Sequence, residues 1–299
     1  MFNLPSRVVT VSLFCTLVLV WSFSFLLIKI SVISFEPAPL VFWRLIIGAL
    51  VVSTAAWLSR SPLPKTGKQW RLLAWIALVG NALPFYLIHR GELAVDSGVA
   101  SLLMGSMPIA TCLVAWFVID EHPSVKQLLG VGLGFFGLVT LIGWDSIDGL
   151  GRTGSQLMIA GGALCYAVSV VSVRRAGVKP SLWIAAFTLW VAAVMVFPLA
   201  WIEGFALKTP ATLGIWASVA ALGIACTGLA QVVYFALIGR IQANHFALIN
   251  NFIPLLGYIW AVWLLAESPR SSSLIAAVLI LLGARLVLSG GQARPATTT

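Results

Sequence analysis

The chain has 299 residues, of which 60% are hydrophobic and only 9% charged, with a mean hydropathy of +1.03. A soluble domain of this size cannot cover so much apolar surface, so a soluble enzyme or binding module is excluded and an integral membrane protein is indicated. The formal charge of +9 lies at the ends of apolar runs and not in a basic groove interleaved with aromatics, which points to membrane orientation and away from nucleic acid.

A helix needs about 20 apolar residues to cross the hydrocarbon. The first such run, Val8 to Ile30, follows Arg7 and is too long for a signal-peptide core, so it reads as an uncleaved span. Four more follow in the first half: Pro39 to Leu58, Trp70 to Ile88, Ser97 to Ile119 and Ser124 to Trp144. After a Gly- and Asp-rich turn region at 145–154, the second half offers Gln156 to Val173, Leu182 to Ile202, Leu213 to Ile238, His245 to Ala266 and Ser271 to Ser289. The expected organisation is a first five-helix unit at 1–144, a connecting loop at 145–154, a second unit at 155–290 and a disordered tail at 291–299.

The halves repeat one another. Pro108 and Pro254, Glu121 and Glu267, Pro123 and Pro269, and Gly137 and Gly283 are each separated by 146 residues, as are Trp70 and Trp216. Because each half holds an odd number of spans, the second copy must lie upside down relative to the first, a plan many secondary transporters use. With the N-terminus placed in the cytoplasm, 12 Lys and Arg residues fall on the inner side and 5 on the outer, so both termini are expected inside.

The runs W-S-F-S-F-x-x-x-K from Trp21 to Lys29, P-x-x-x-x-R from Pro39 to Arg44, A-S-L-L-x-x-x-x-P from Ala100 to Pro108 and D-E-x-P from Asp120 to Pro123 lie in these duplicated halves. Together they resemble the drug/metabolite transporter superfamily, EamA type, and within it most the YddG-type amino-acid exporter branch. The resemblance covers nearly the whole chain. It implies an all-α integral membrane protein: ten transmembrane helices in two inverted five-helix repeats around a central cavity, with the fifth and tenth helices outside. It also implies export of small organic metabolites without ATP, across the inner (plasma) membrane of a bacterium.

Polar side chains on membrane spans need a partner or a wet cavity, so polar faces in register suggest an interior path. Asn81, Phe85 and His89 share one face of the third span, and Thr227, Gln231 and Tyr234 stand in the matching part of the eighth. Ser101 and Met104 on the fourth span and Asn250 and Asn251 on the ninth either line the cavity or bond between helices. Trp21, Ser22 and Phe25, with Tyr166 and Ser169 on the sixth span, would supply aromatic walls, whereas Trp57, Trp70, Trp75, Trp144, Trp201 and Trp216 suit an interfacial belt. Pro108 and Pro254 each remove a helical hydrogen bond and read as matched hinges.

Among the charges, Lys29 and Arg174 near helix ends are expected to snorkel, and Arg44 either reaches outward or faces a substrate carboxylate. His89, Glu92 and Asp96 form either a solvated turn or a proton relay and outer gate. Glu121 and Glu267, at the two corners, read as structural clamps beside the helix each precedes, with a gate as the alternative.

Cys15, Cys112, Cys165 and Cys226 all fall inside apolar runs, as small filler and not as a disulfide or metal set. Three scattered histidines and the lack of any nucleophile or metal motif argue against an enzyme. The leading expectation is a secondary transporter that exports amino acids, aromatic ones included, by alternating access. Its partners are a small-molecule substrate and the lipid bilayer, with no cofactor and no metal, and a monomer suffices. The alternative is a multidrug or quaternary-cation exporter, because aromatic walls also bind cations.

Overall fold

A computed structural model describes residues 6–62, 67–143, 150–177, 181–238, 240, 249–269 and 271–290. Helices follow one another with short turns: α1 (Ser6–Ser31), α2 (Pro37–Leu58), α3 (Gly67–Ala77), a π-helical turn (Leu78–Ala82), α4 (Leu83–Gly91), α5 (Ser97–Met104) and α6 (Met107–Ile119). Next come α7 (Val125–Gly143), α8 (Leu150–Ala176), α9 (Leu182–Glu203), α10 (Leu213–Gly223), a second π-helical turn (Ile224–Leu229), α11 (Ala230–Ile238), α12 (Ile249–Leu264) and α13 (Ser271–Ser289). Among the described residues there is no strand, nine helical stretches are long and apolar enough to cross a membrane, and Ile249–Leu264 is a shorter apolar helix. The chain is a multi-pass membrane protein. We call the face that carries the start of α1 and the end of α13 the terminal face, and the opposite one the far face.

Three expectations need adjusting or fall elsewhere. The segment read as a loop at 145–154 is helical from Leu150, and Arg152 in that first turn donates from Nη2 to Asp96 Oδ2 at 2.9 Å, which anchors the helix start. Residues 144–149, with Trp144, and the 291–299 tail lie outside the described residues. The fourth span is not a kinked continuous helix. It breaks at Gly105–Ser106, and Pro108 stands in the first turn of α6. A proline there loses no helical hydrogen bond, whereas inside a helix its ring would press on the carbonyl four residues back. Pro254, its counterpart, does stay inside α12.

The duplication extends to backbone geometry. Asp120 and Ala266, 146 residues apart, are both left-handed, with φ of 56° and 54°. The amides that follow close the same way, Glu121 N–H onto Ala115 O at 3.3 Å and Glu267 N–H onto Ala261 O at 3.2 Å. The two π-helical turns also start at matched positions, Leu78 and Ile224.

Packing is lopsided. On the far face one core joins the second half of α1 (Phe25, Ile28) and Val32 just past it to α5 (Val99, Leu102, Leu103), α8 (Ile159) and α10 (Ile215, Val219, Leu222). Toward the terminal face, α1 contributes Leu17 and Val18 to a smaller cluster with Ala230, Leu237 and Ile249. A third core pairs α2 with α9 through Ala and Leu residues. Helices α7 and α13 cross through glycine: a Cβ on Gly283 would lie 2.6 Å from Gly130 O and 2.6 Å from Gly134 N, both backbone atoms that cannot swing away. Trp57, Trp70, Trp75, Trp201 and Trp216 are exposed on the outside, in keeping with a belt.

Two stability changes follow. Gly283→Leu should destabilise the purified protein by about 3 kcal/mol or prevent its accumulation, while Gly132→Ala, whose Cβ would meet nothing within 4 Å, should leave the melting temperature unchanged. Ala266→Gly should raise stability by roughly 1 kcal/mol by removing the left-handed strain on a residue with a Cβ. Thermal unfolding in detergent measures both.

Candidate functional site

The far face is held by carboxylates of the second half placed on helix starts of the first. At α5 the N-cap residue Asp96 makes no capping bond, because its carboxylate is engaged with Arg152. The exposed amides are met instead by Glu267: Ser97 N–H donates to Oε1 at 2.8 Å and Gly98 N–H to Oε2 at 3.0 Å, and Ser97 Oγ also donates to Oε1 at 3.0 Å. At α2, Glu36 likewise makes no capping bond, and Ala38 N–H donates to Glu203 Oε2 at 2.7 Å. A helix start concentrates unpaired N–H groups and partial positive charge, so a carboxylate is the matching counter-group. Glu267 is therefore a clamp, but on a helix of the other half and not on the one it precedes. Glu121 has a different partner, the Arg174 guanidinium, in a half-exposed pair.

Below this seal lie the residues expected to form the site. Asn81, Phe85 and His89 are all buried along one face of the third span, with the Phe85 and His89 ring centroids 6.4 Å apart. Thr227 occupies the second π-helical turn, at the place equivalent to Asn81 in the first. Its hydroxyl donates to Leu222 O, five residues back, at 2.9 Å and accepts from Arg44 Nε at 2.9 Å. Arg44 is 5% exposed, and its guanidinium carbon stands 4.1 Å from the Phe85 ring centroid. Tyr166, on α8, packs against two of the cores from between them. Residues from both halves thus converge on Arg44.

A second group lies closer to the terminal face. Trp21 and Tyr234 bring their ring centroids within 6.2 Å and Gln231 is partly exposed on α11, whereas Met104 is not in this group and packs at the edge of the far-face core. Asn250 and Asn251 on α12 are both partly exposed, and Asn251 Oδ1 is enclosed without a hydrogen-bond partner.

Other expected wall residues are spent on helix contacts. Ser22 Oγ donates to Leu19 O and accepts from Trp260 Nε1 at 3.1 Å. Ser101 Oγ shares its one proton between Gly98 O and Pro254 O, and a Cβ on Gly257 would lie 2.6 Å from Ser101 Cβ, so this fully buried serine joins α5 to α12. Ser169 lies against Gly80 in the same manner, and Phe25 belongs to the far-face core. Close approach needs small polar residues that satisfy themselves on backbone carbonyls, which is why serine serves here.

Two charges near this turn are engaged or buried: Lys29 is partly exposed, and Glu92 is not exposed at all. Lys29 Nζ donates to the carbonyls of Glu92 and Val95, both at 2.8 Å, and so ties α1 to the turn after α4. Glu92 is fully buried, and neither carboxyl oxygen has a partner. His89 is also fully buried: Nδ1 bonds Phe85 O at 2.6 Å, while Nε2 has none. Since a carbonyl only accepts, Nδ1 carries the proton. His89 and Glu92 are therefore not part of a solvated turn, whereas Leu93 and Ala94 are exposed and Asp96 is partly so. Among the described residues no group of three His, Cys, Asp or Glu could hold a metal ion.

Glu92 lies just past the third span. Burial pushes its carboxyl well above the usual carboxylate range; Lys29 and Arg44 pull it back and Glu267 pushes it further up. An unfolded chain releases this proton near pH 4.5, so the folded state loses stability as pH rises above that value. Glu92→Gln should accordingly raise the melting temperature at pH 7 to 8, with the gain shrinking toward pH 5. Glu267→Ala should act in the opposite direction, with a loss of about 2 kcal/mol from two orphaned amides and a lost charge-assisted cap.

Comparison with known proteins agrees with this architecture. A solved crystal structure superposes with a TM-score of 0.67 at 21% identity, covering 93% of this chain and 96% of the other. An uncharacterized transporter of Archaeoglobus fulgidus is 23% identical over 90% of this chain and 93% of its own length. A Salmonella typhimurium protein named "probable amino-acid metabolite efflux pump" is 24% identical over 93% of this chain and 94% of its own. The EamA-like transporter family profile matches twice, at residues 9–143 and 154–289, once per repeat. The chain therefore belongs to the EamA-like transporter family and is a transporter, not an enzyme.

Proposed function

We propose that the protein exports small organic metabolites, namely amino acids with aromatic ones among them, by alternating access between two inverted halves. The observation that carries this reading is the matched pair of π-helical turns at Leu78–Ala82 and Ile224–Leu229, which place Asn81 and Thr227 at equivalent depths inside an apolar bundle. Wide turns of this type free backbone groups and gather at functional positions. The Trp21–Tyr234 pair offers an apolar wall beside these polar groups, as an amphipathic solute requires. Relatives named for amino-acid efflux support the same solute class.

In this reading the cross-half carboxylate caps hold the far side closed, and Glu267 is a gate as well as a clamp. Opening requires Glu203 and Glu267 to leave their helix starts. Pro108, at the α5–α6 break, and Pro254, within α12, are the places where the fourth and ninth spans bend. The Lys and Arg bias supports an inner-membrane protein with cytoplasmic termini. A quaternary-cation exporter would use the same aromatic walls, but the buried Arg44 cation opposes a second positive charge.

Reconstituted protein should accelerate counterflow of radiolabelled phenylalanine or tyrosine across liposomes preloaded with the unlabelled amino acid. Protein-free rates for every amino acid, together with accelerated tetraphenylphosphonium flux, would reject the reading in favour of the cation exporter.

A further inference from the structure

Arg44 carries a charge that the protein itself leaves unanswered. On α2 its neighbours Leu40, Val41, Leu45 and Gly48 are all buried, so the side chain has no path along its own helix to water. The ion pairs of the described residues join other groups, and none involves Arg44. Its hydrogen bond from Nε goes to a neutral hydroxyl, and its ring partner Phe85 is also neutral. Glu92 lies near enough to act on Arg44 electrostatically but forms no contact with it, and both Glu92 oxygens are enclosed without partners.

A buried cation with no counter-charge is costly in hydrocarbon, and membrane proteins retain one where it serves a ligand or a pathway. The two ends of the guanidinium differ in what meets them. Nε is held by Thr227, whose own proton is committed to Leu222 O, so the hydroxyl can only accept from the arginine. Nη1 and Nη2 have no partner among the described residues. Neither is among the polar atoms that are both fully enclosed and unpartnered, so each keeps some accessible surface although the residue is only 5% exposed. A planar pair of N–H donors with fixed spacing, restrained on its third nitrogen and over a ring, is preorganised for two parallel bonds to a carboxylate.

We propose that Arg44 is the anion anchor of the transport site, docking the solute's carboxylate through Nη1 and Nη2 while Thr227, from the opposite half, positions the guanidinium. The proposal rests on the transporter reading above and narrows the solutes to those bearing a free carboxylate. Since Arg44 and Thr227 belong to different halves, solute bound there bridges both. The anchor has no counterpart in the second half: α2 and α9 match at an offset of 145, which places the buried Leu189 opposite Arg44.

Counterflow of radiolabelled phenylalanine in proteoliposomes tests this, with unlabelled phenylalanine, phenylalaninamide and phenylalanine methyl ester as competitors. The wild-type protein should prefer the acid over the amide and the ester by about tenfold or more, as a site built around one hydrogen-bonded group does. Arg44→Gln should lose most of the counterflow and that preference, and Arg44→Lys should regain part of both. Thr227→Val should raise KM several-fold with little change in maximal rate. Amide or ester competing as well as the acid would overturn the anchor while leaving amino-acid transport intact, and so would Arg44→Gln retaining the preference. The wild-type competition series decides the question even if Arg44→Gln fails to fold. Absence of counterflow with any amino acid would remove the amino-acid export reading, and the anchor with it.

Discussion

Hydrocarbon supplies no hydrogen bonds, so every helix start buried near the membrane must find its acceptor in the protein. On the far face this constraint is met across the two halves, with Glu203 at the start of α2 and Glu267 at the start of α5. Each local N-cap residue is diverted, Asp96 to Arg152 and Glu36 to Lys208 at 3.7 Å, so the capping has to come from a distance. The same contacts that satisfy the backbone thereby tie the two halves together at the far face. Ser34 strengthens the closure by bonding Thr209 Oγ1 at 2.8 Å and accepting from Lys208 N–H at 2.9 Å.

The duplication makes the two halves comparable, and their differences carry the functional information. Backbone corners at Asp120 and Ala266 have the same conformation, yet the glutamates that follow do different things: Glu267 caps a helix and Glu121 pairs with Arg174. Both π-helical turns are present, but only the second has its polar residue engaged by a buried cation. A symmetric scaffold with asymmetric partners is what the proposed single solute site between two moving halves calls for.

Much of this was legible in sequence. Span positions follow from hydropathy and the repeat from constant spacing, while the family likeness rests on the motifs from Trp21 to Lys29, Pro39 to Arg44, Ala100 to Pro108 and Asp120 to Pro123. The inward face of Asn81, Phe85 and His89 followed from helical periodicity. What was hidden is pairing. Nothing local to Glu92 distinguishes a buried carboxylate from a solvated turn, because its burial depends on α1 and Lys29 crossing over it. Ser22 and Ser101 look the same in sequence whether they line a cavity or join helices; Gly257, opposite Ser101, is the clue, since glycine there admits close contact. Arg44 could also have been placed: Gly48, one turn on, leaves room for Thr227 Cγ2 at a distance a Cβ would not tolerate, 2.5 Å, so that face of α2 must meet another helix.

The central claim is that carboxylates of the second half hold the far face shut. It is tested most directly by labelling Val99→Cys, a position in the first turn of α5 that is 6% exposed, after Cys15, Cys112, Cys165 and Cys226 are replaced by alanine. A membrane-impermeant maleimide applied from the far side should react slowly with this cysteine when Glu203 and Glu267 are intact, and many-fold faster in Glu267→Ala. Equal labelling rates with and without Glu267 would contradict the account.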